Sequence, residues 1–212
     1  MNSQLANQIA QSLLDIGAVN LKPKDPFTWS SGLLSPIYCD NRLTMSYPHI
    51  RNIVAEGFVQ VIKEKYPDVE VIAGTSTAGI PHAAWVADKL GLPMIYIRDK
   101  AKGHGKKNQI EGLLKPDQKV VVIEDLISTG GSSLRAAKAV QEAGGYVQAV
   151  VAIFTYQFEK AANAFVEENI QMHTLSNYTA LIQIASDMGK VESEDLELLQ
   201  SWRHNPEKYL VD

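Results

Sequence analysis

The sequence predicts an α/β fold, a mainly parallel sheet covered by helices on both faces. Two observations carry this. First, residues 69–74 (VEVIAG), 93–98 (PMIYIR), 119–125 (KVVVIED) and 146–154 (YVQAVVAIF) are near-continuous apolar runs. They lack the alternation of a half-exposed strand and read as strands buried on both faces. Second, segments of helical period separate them, at 80–91 and 132–145. Alternating strands and helices are what parallel crossovers need. At 212 residues the chain can enclose a full core, and no linker or internal repeat divides it, so one domain over 1–212 is expected.

Taken in order, Leu5, Ile9, Leu13 and Ile16 recur at helical spacing and Gly17 supplies a stop, which predicts a helix over 3–16. The stretch 22–43 holds three prolines among Ser, Asp and Asn, and reads as loops with short strands. Ile50, Val54, Phe58, Val61 and Ile62 predict a second helix over 48–65. Strands and helices then alternate as above, with Gly144 and Gly145 closing the helix before the last strand. The tail from about 157 reads as mostly helical, including 181–189 and 193–205.

Hydrophobic content of 45% and charged content of 21% are ordinary for a globular chain. No apolar run is long enough to span a membrane, and the first 20 residues lack the basic and apolar regions of a secretory signal, so a cytoplasmic protein is expected. The net charge of -4 argues against a protein that coats nucleic acid. Cations are nevertheless concentrated in 98–107 (RDKAKGHGKK), which has five Lys or Arg and one acid. The single Cys39 cannot form an internal disulfide and reads as a packed thiol. Asn177-Tyr178-Thr179 fits a glycosylation pattern that is read as chance. His82 reads as a capping or packing histidine and Trp85 as core. No His, Cys, Asp and Glu set has metal-ligand spacing.

The chemistry concentrates at 119–133, KVVVIEDLISTGGSS. Ligands of open α/β sheets bind beyond the carboxyl ends of the strands, and this is such an end. Gly130 and Gly131 permit positive φ and close backbone approach, while Ser128, Thr129, Ser132 and Ser133 supply hydroxyls at a helix start, where amides and the helix dipole favour phosphate. Neither GxxxxGK[ST] nor GxGxxG occurs, which argues against nucleoside triphosphate hydrolysis and dinucleotide binding. Glu124 and Asp125 would repel a phosphate placed against them, so they must face another part of the ligand. A sugar phosphate satisfies both halves.

VVVIEDLISTGGSS resembles the 5-phosphoribosyl diphosphate (PRPP) motif of the type I phosphoribosyltransferases. Within that family, DPFTWSSG with SPIYCDNR, AGTSTAGIPHAAW and RDKAKGHGKKNQIEG are similar to the orotate phosphoribosyltransferases in their Gram-positive bacterial form, over about 5–205. The resemblance implies the type I fold: a core of about 46–156 under a small hood built from about 1–45 and 157–212. It implies transfer of the 5-phosphoribosyl group from PRPP to orotate in pyrimidine biosynthesis, with Mg²⁺ held mainly through PRPP. Carried over by position, Glu124 and Asp125 meet the ribose hydroxyls. Leu126, Ile127, Ser128, Thr129, Gly130, Gly131 and Ser132 hold the 5′-phosphate, and Ser128 also touches orotate. Arg98, Lys102 and His104 serve the diphosphate, and with Asp125 they form the catalytic set. Residues 98–107 become a lid that closes over the neighbouring site of a homodimer.

This chain departs from family members elsewhere at several positions. Asp99, Ala78, Ser30 and Leu34 each stand where a Lys occurs, and no Arg is found near Tyr156. For the orotate carboxylate, Lys24 and the amides of 30–32 are the candidates. The rival readings are a phosphoribosyltransferase for another nucleobase and a PRPP-sensing regulator that binds nucleic acid.

Overall fold

The computed structural model describes residues 3–29, 31–99 and 109–209. Helix α1 (Ser3–Asp15) precedes four short strands: β1 (Val19–Leu21), β2 (Phe27–Thr28), β3 (Leu34–Ser35) and β4 (Ile37–Cys39). Strand β1 pairs antiparallel with β4, and β2 with β3. A 3-10 turn at Asn41–Ser46 leads into α2 (Pro48–Lys65), with Pro48 in the first turn, where its missing N–H costs nothing. The alternating part follows as β5 (Val71–Thr75), α3 (Gly79–Leu90), β6 (Met94–Ile97), β7 (Ile110–Glu111), β8 (Lys119–Ile127), α4 (Gly131–Glu142) and β9 (Tyr146–Thr155). The chain then adds α5 (Glu159–Glu167), β10 (Gln171–Asn177), α6 (Tyr178–Asp187) and α7 (Leu196–His204).

Six strands form the central sheet in the order β10-β9-β8-β5-β6-β7, parallel throughout except for β6 with β7. Alternate residues of β8 feed two cores. Val121 and Ile123 join the core that holds Ile9, Leu13, Phe58 and Trp202, while Val120 and Val122 join the one that holds Leu134, Val140 and Phe165. Helices α1, α2 and α3 thus cover one face, and α4 and α5 the other. Each fully buried aliphatic side chain contributes about 1.5–3 kcal/mol before entropy is counted.

Two features differ from the sequence reading. The tail expected to be mostly helical contains β10, which pairs parallel with β9, so the sheet extends to Asn177, past 156. The hydroxyls, His173 and Gln171 of β10 suit an edge strand and hide it from a search for apolar runs. Trp85, expected in the core, is half-buried with the Arg51 guanidinium 5.2 Å above its ring.

The N-terminal strands and the C-terminal helices are tied together. Trp202 Nε1 donates to Leu34 O at 3.1 Å, and Trp202 packs against Trp29, Phe158 and Tyr178. Among the described residues no helix is long and apolar enough to cross a membrane.

His82 is a packing histidine. It is 1% exposed, its ring sits between Phe58 and Trp85, and neither ring nitrogen has a hydrogen-bond partner. Burial lowers its pKa from 6.5 to about 4. Below about pH 6.5 the unfolded chain therefore takes a proton that the folded chain refuses, so this contribution to stability is complete above 6.5 and is lost as pH falls toward 4. Going from pH 7.5 to 5 is expected to cost about 2 kcal/mol through His82. Denaturant titrations of wild type and His82→Leu at both pH values check this; an equal fall in both would assign the effect to another group.

Candidate active site

Strand β8 carries the two acids into the site. It runs on through Leu126 and Ile127, because β9 is long enough to pair with both, at Phe154 and Thr155. Successive residues of a strand point to opposite faces, and the acids separate accordingly. Glu124 is 5% exposed and enclosed: Thr75 Oγ1 lies 2.5 Å from its Oε1, and Ser133 Oγ donates to its Oε2 at 3.0 Å. Burial and the neighbouring Asp125 raise its pKa. Asp125 is half-buried, and burial raises its pKa as well. Its main-chain carbonyl is held by Asn41 Nδ2 at 2.7 Å, which locks the 3-10 turn to the strand.

After Ile127 the chain turns through Ser128, Thr129 and Gly130 into α4. Gly130 is the N-cap, with φ 82°, a left-handed conformation that penalises any side chain, and a Cβ there would lie 3.0 Å from the Phe165 ring. No side chain caps this helix. Its first-turn amides are left for an anion, aided by the helix dipole.

The β5–α3 turn forms the adjacent wall, and its Ser76–Thr77 peptide is cis. Gly79 opens α3 directly against β8; a Cβ on it would overlap both Ile123 O and Thr75 Oγ1. This close approach brings Thr75 within reach of Glu124.

On the other side of the acids, Trp29, Ser31, Tyr38, Cys39, Ser128 and Tyr156 line a cavity of about 390 Å³. Tyr156 is 3% exposed and stacked among Trp29, Phe154 and Phe158, and burial raises the pKa of its phenol, which keeps it a neutral donor. Burial likewise pushes the Cys39 thiol up, so it stays protonated. Lys24 is not at this cavity. It pairs with Glu194 at 2.8 Å and Asp195 at 3.2 Å, which ties the N-terminal loop to the C-terminal turn.

Arg98 follows β6, and its amide donates to Gln109 O at 2.9 Å, so both ends of the basic segment are pinned beside the β6–β7 pair. Its guanidinium is 3.5 Å from Glu111. Lys102 and His104 lie outside the described residues, as does Ser30.

The sequence matches the family described as phosphoribosyl transferase domain over residues 46–182. It is 59% identical over 198 residues to an orotate phosphoribosyltransferase of Halalkalibacterium halodurans, covering 93% of this chain and 94% of that one. The chain belongs to the orotate phosphoribosyltransferases. A second member of the family, from Enterococcus faecalis, is 58% identical over 207 residues, covering 98% of this chain and 99% of the relative. Among solved structures, the orotate phosphoribosyltransferase of Aeropyrum pernix matches with a TM-score of 0.75 at 25% identity, over 86% of this chain and 99% of that one. The family's type I fold is the sheet order and helix layering described above.

The structure thus brings Arg98, Glu124, Asp125 and the loop 126–132 to one end of the sheet. Thr75 and Asn41 were not found by sequence reasoning. Their hydrogen bonds span 49 and 84 residues, and no local pattern announces such partners.

Proposed function

We propose that this chain transfers the 5-phosphoribosyl group of PRPP to orotate, releasing diphosphate and forming orotidine 5′-phosphate. The observation that carries this reading is the junction of β8 and α4. There a half-buried carboxylate stands beside an uncapped helix start, with a base-sized cavity adjoining. In the reaction the anomeric carbon exchanges its bond to a diphosphate oxygen for one to a pyrimidine nitrogen. The ribose becomes cationic between the two, and the leaving group gains negative charge.

The amides and hydroxyls of 126–132 hold the 5′-phosphate, and Asp125 is the open acid toward the ribose. Glu124 reaches a ribose hydroxyl by exchanging its Thr75 or Ser133 partner. Arg98, Lys102 and His104 meet the diphosphate, where cations that bind the transition state more strongly than the substrate lower the barrier. Ser128 and the neutral donors of the 390 Å³ cavity meet orotate. Mg²⁺ suits a substrate-borne role, since it keeps waters and takes phosphate oxygens with one or two carboxylates, and Asp125 is a carboxylate open to such use. When bound, the ion spreads the charge of the diphosphate. The protein works in the cytoplasm as a homodimer, with the lid 98–107 of each subunit closing over its neighbour's site and excluding water, whose attack on PRPP is the competing reaction.

The test is an assay of purified protein with PRPP, Mg²⁺ and a panel of bases. Diphosphate release that depends on orotate is expected. Consumption of a purine or uracil instead, or PRPP binding with no turnover of any base, would overturn the reading.

A further inference from the structure

A second cavity, of about 290 Å³, lies between the β5–α3 turn, the base of the basic segment and the first turns of α4. Its polar wall includes Ser76, Arg98, Gln109, Ser132 and Arg135, with Asp99 as its acid. Arg135 is an exposed cation of α4 that borders this cavity. It stands one helical turn after Gly131, and its guanidinium folds back toward the helix start: Nη1 lies 3.4 Å from the point where a side chain on Gly131 would begin. Among the described residues it has neither a hydrogen bond nor an ion pair, whereas Lys138, one turn further on, is held by Glu168 at 2.7 Å. A cation at a helix N-terminus opposes the helix dipole, and among the described residues no carboxylate is within ion-pair distance of it, although Asp99 lines the same cavity. Arg98 Nη1 on the same wall is buried without a hydrogen bond and has Glu111 as an ionic neighbour at 3.5 Å. Two guanidinium groups and the Ser76 hydroxyl thus line one space beside the β5–α3 turn.

We infer that Arg135 is a binding residue for the diphosphate of PRPP, acting with Arg98 from the α4 side of the site. The inference rests on the proposed reaction. The 5′-phosphate is less suited to this space, because the cavity is lined by the β5–α3 turn and the base of the basic segment and by none of residues 128–130. A planar guanidinium engages two oxygens at once, which a group already positioned over the helix can do without reordering its stem.

The experiment compares wild type, Arg135→Gln and Arg135→Lys. It measures the KM for PRPP and for orotate, and inhibition by inorganic diphosphate and by ribose 5-phosphate. In Arg135→Gln the KM for PRPP and the inhibition constant of diphosphate are each expected to rise about tenfold, as for loss of one charge-assisted hydrogen bond. The KM for orotate and inhibition by ribose 5-phosphate should stay within about twofold, and Arg135→Lys should recover part of the loss. A PRPP KM and diphosphate inhibition unchanged in Arg135→Gln would overturn the inference. So would weakened ribose 5-phosphate inhibition with diphosphate inhibition intact, which would move Arg135 to the other phosphate. Calorimetric binding of inorganic diphosphate with Mg²⁺ reads Arg135 even if the wild type uses a different base, so failure of the orotate reading and failure of this one are distinguishable.

Discussion

Asp125→Asn is expected to lower turnover with PRPP and orotate by about 10²- to 10³-fold, the scale seen when one preorganised electrostatic partner of a transition state is removed. The substitution keeps shape and changes charge. The contact that fixes this position is made by the main-chain carbonyl of Asp125, which accepts from Asn41, so the amide variant leaves it in place. The carboxylate is half-buried and burial raises its pKa, so the folded protein gains nothing from the charge itself, and stability should be equal or slightly higher. The charge is useful only once the ribose becomes cationic. Turnover measured beside a denaturant titration checks both halves. Turnover within about fivefold of wild type would remove Asp125 from the catalytic set.

Much of this site was legible because its signals are local. VVVIED is an apolar run long enough to be a buried strand, and STGGSS follows it after two further residues, so the strand end, the loop and the helix start were adjacent in sequence before they were adjacent in space. The illegible parts depend on long-range partners. Lys24 looked like a free cation near the orotate loop, but Glu194 and Asp195 claim it from 170 residues away. Strand β10 follows its neighbour's register instead of an apolar pattern of its own, and β7 is two residues long. Arg135 is an intermediate case. Its spacing of four from Gly131 is one helical turn, which places it over the loop, but only the cavity it shares with Arg98 gives that placement meaning.

Lys102→Ala is expected to reduce turnover by a similar 10²- to 10³-fold, with the KM for PRPP changed only a few-fold. The split follows from the proposed role. A lid cation that meets the diphosphate as its charge grows stabilises the transition state more than the bound substrate, so its loss appears in kcat. The segment that carries Lys102 leaves the sheet at Arg98 and returns at Gln109, beside β6 and β7 at one edge. From an edge, a lid can serve a neighbouring subunit. Mixing Asp125→Asn with Lys102→Ala protein separates the two arrangements. If lids act across the dimer, each mixed dimer has one site with both an intact Asp125 and an intact Lys102. Random pairing makes half the dimers mixed, each with one working site in two, so about one quarter of wild-type activity should return. If each lid closes over its own subunit, every site in the mixture lacks one of the two groups, and activity stays at the level of the separate variants.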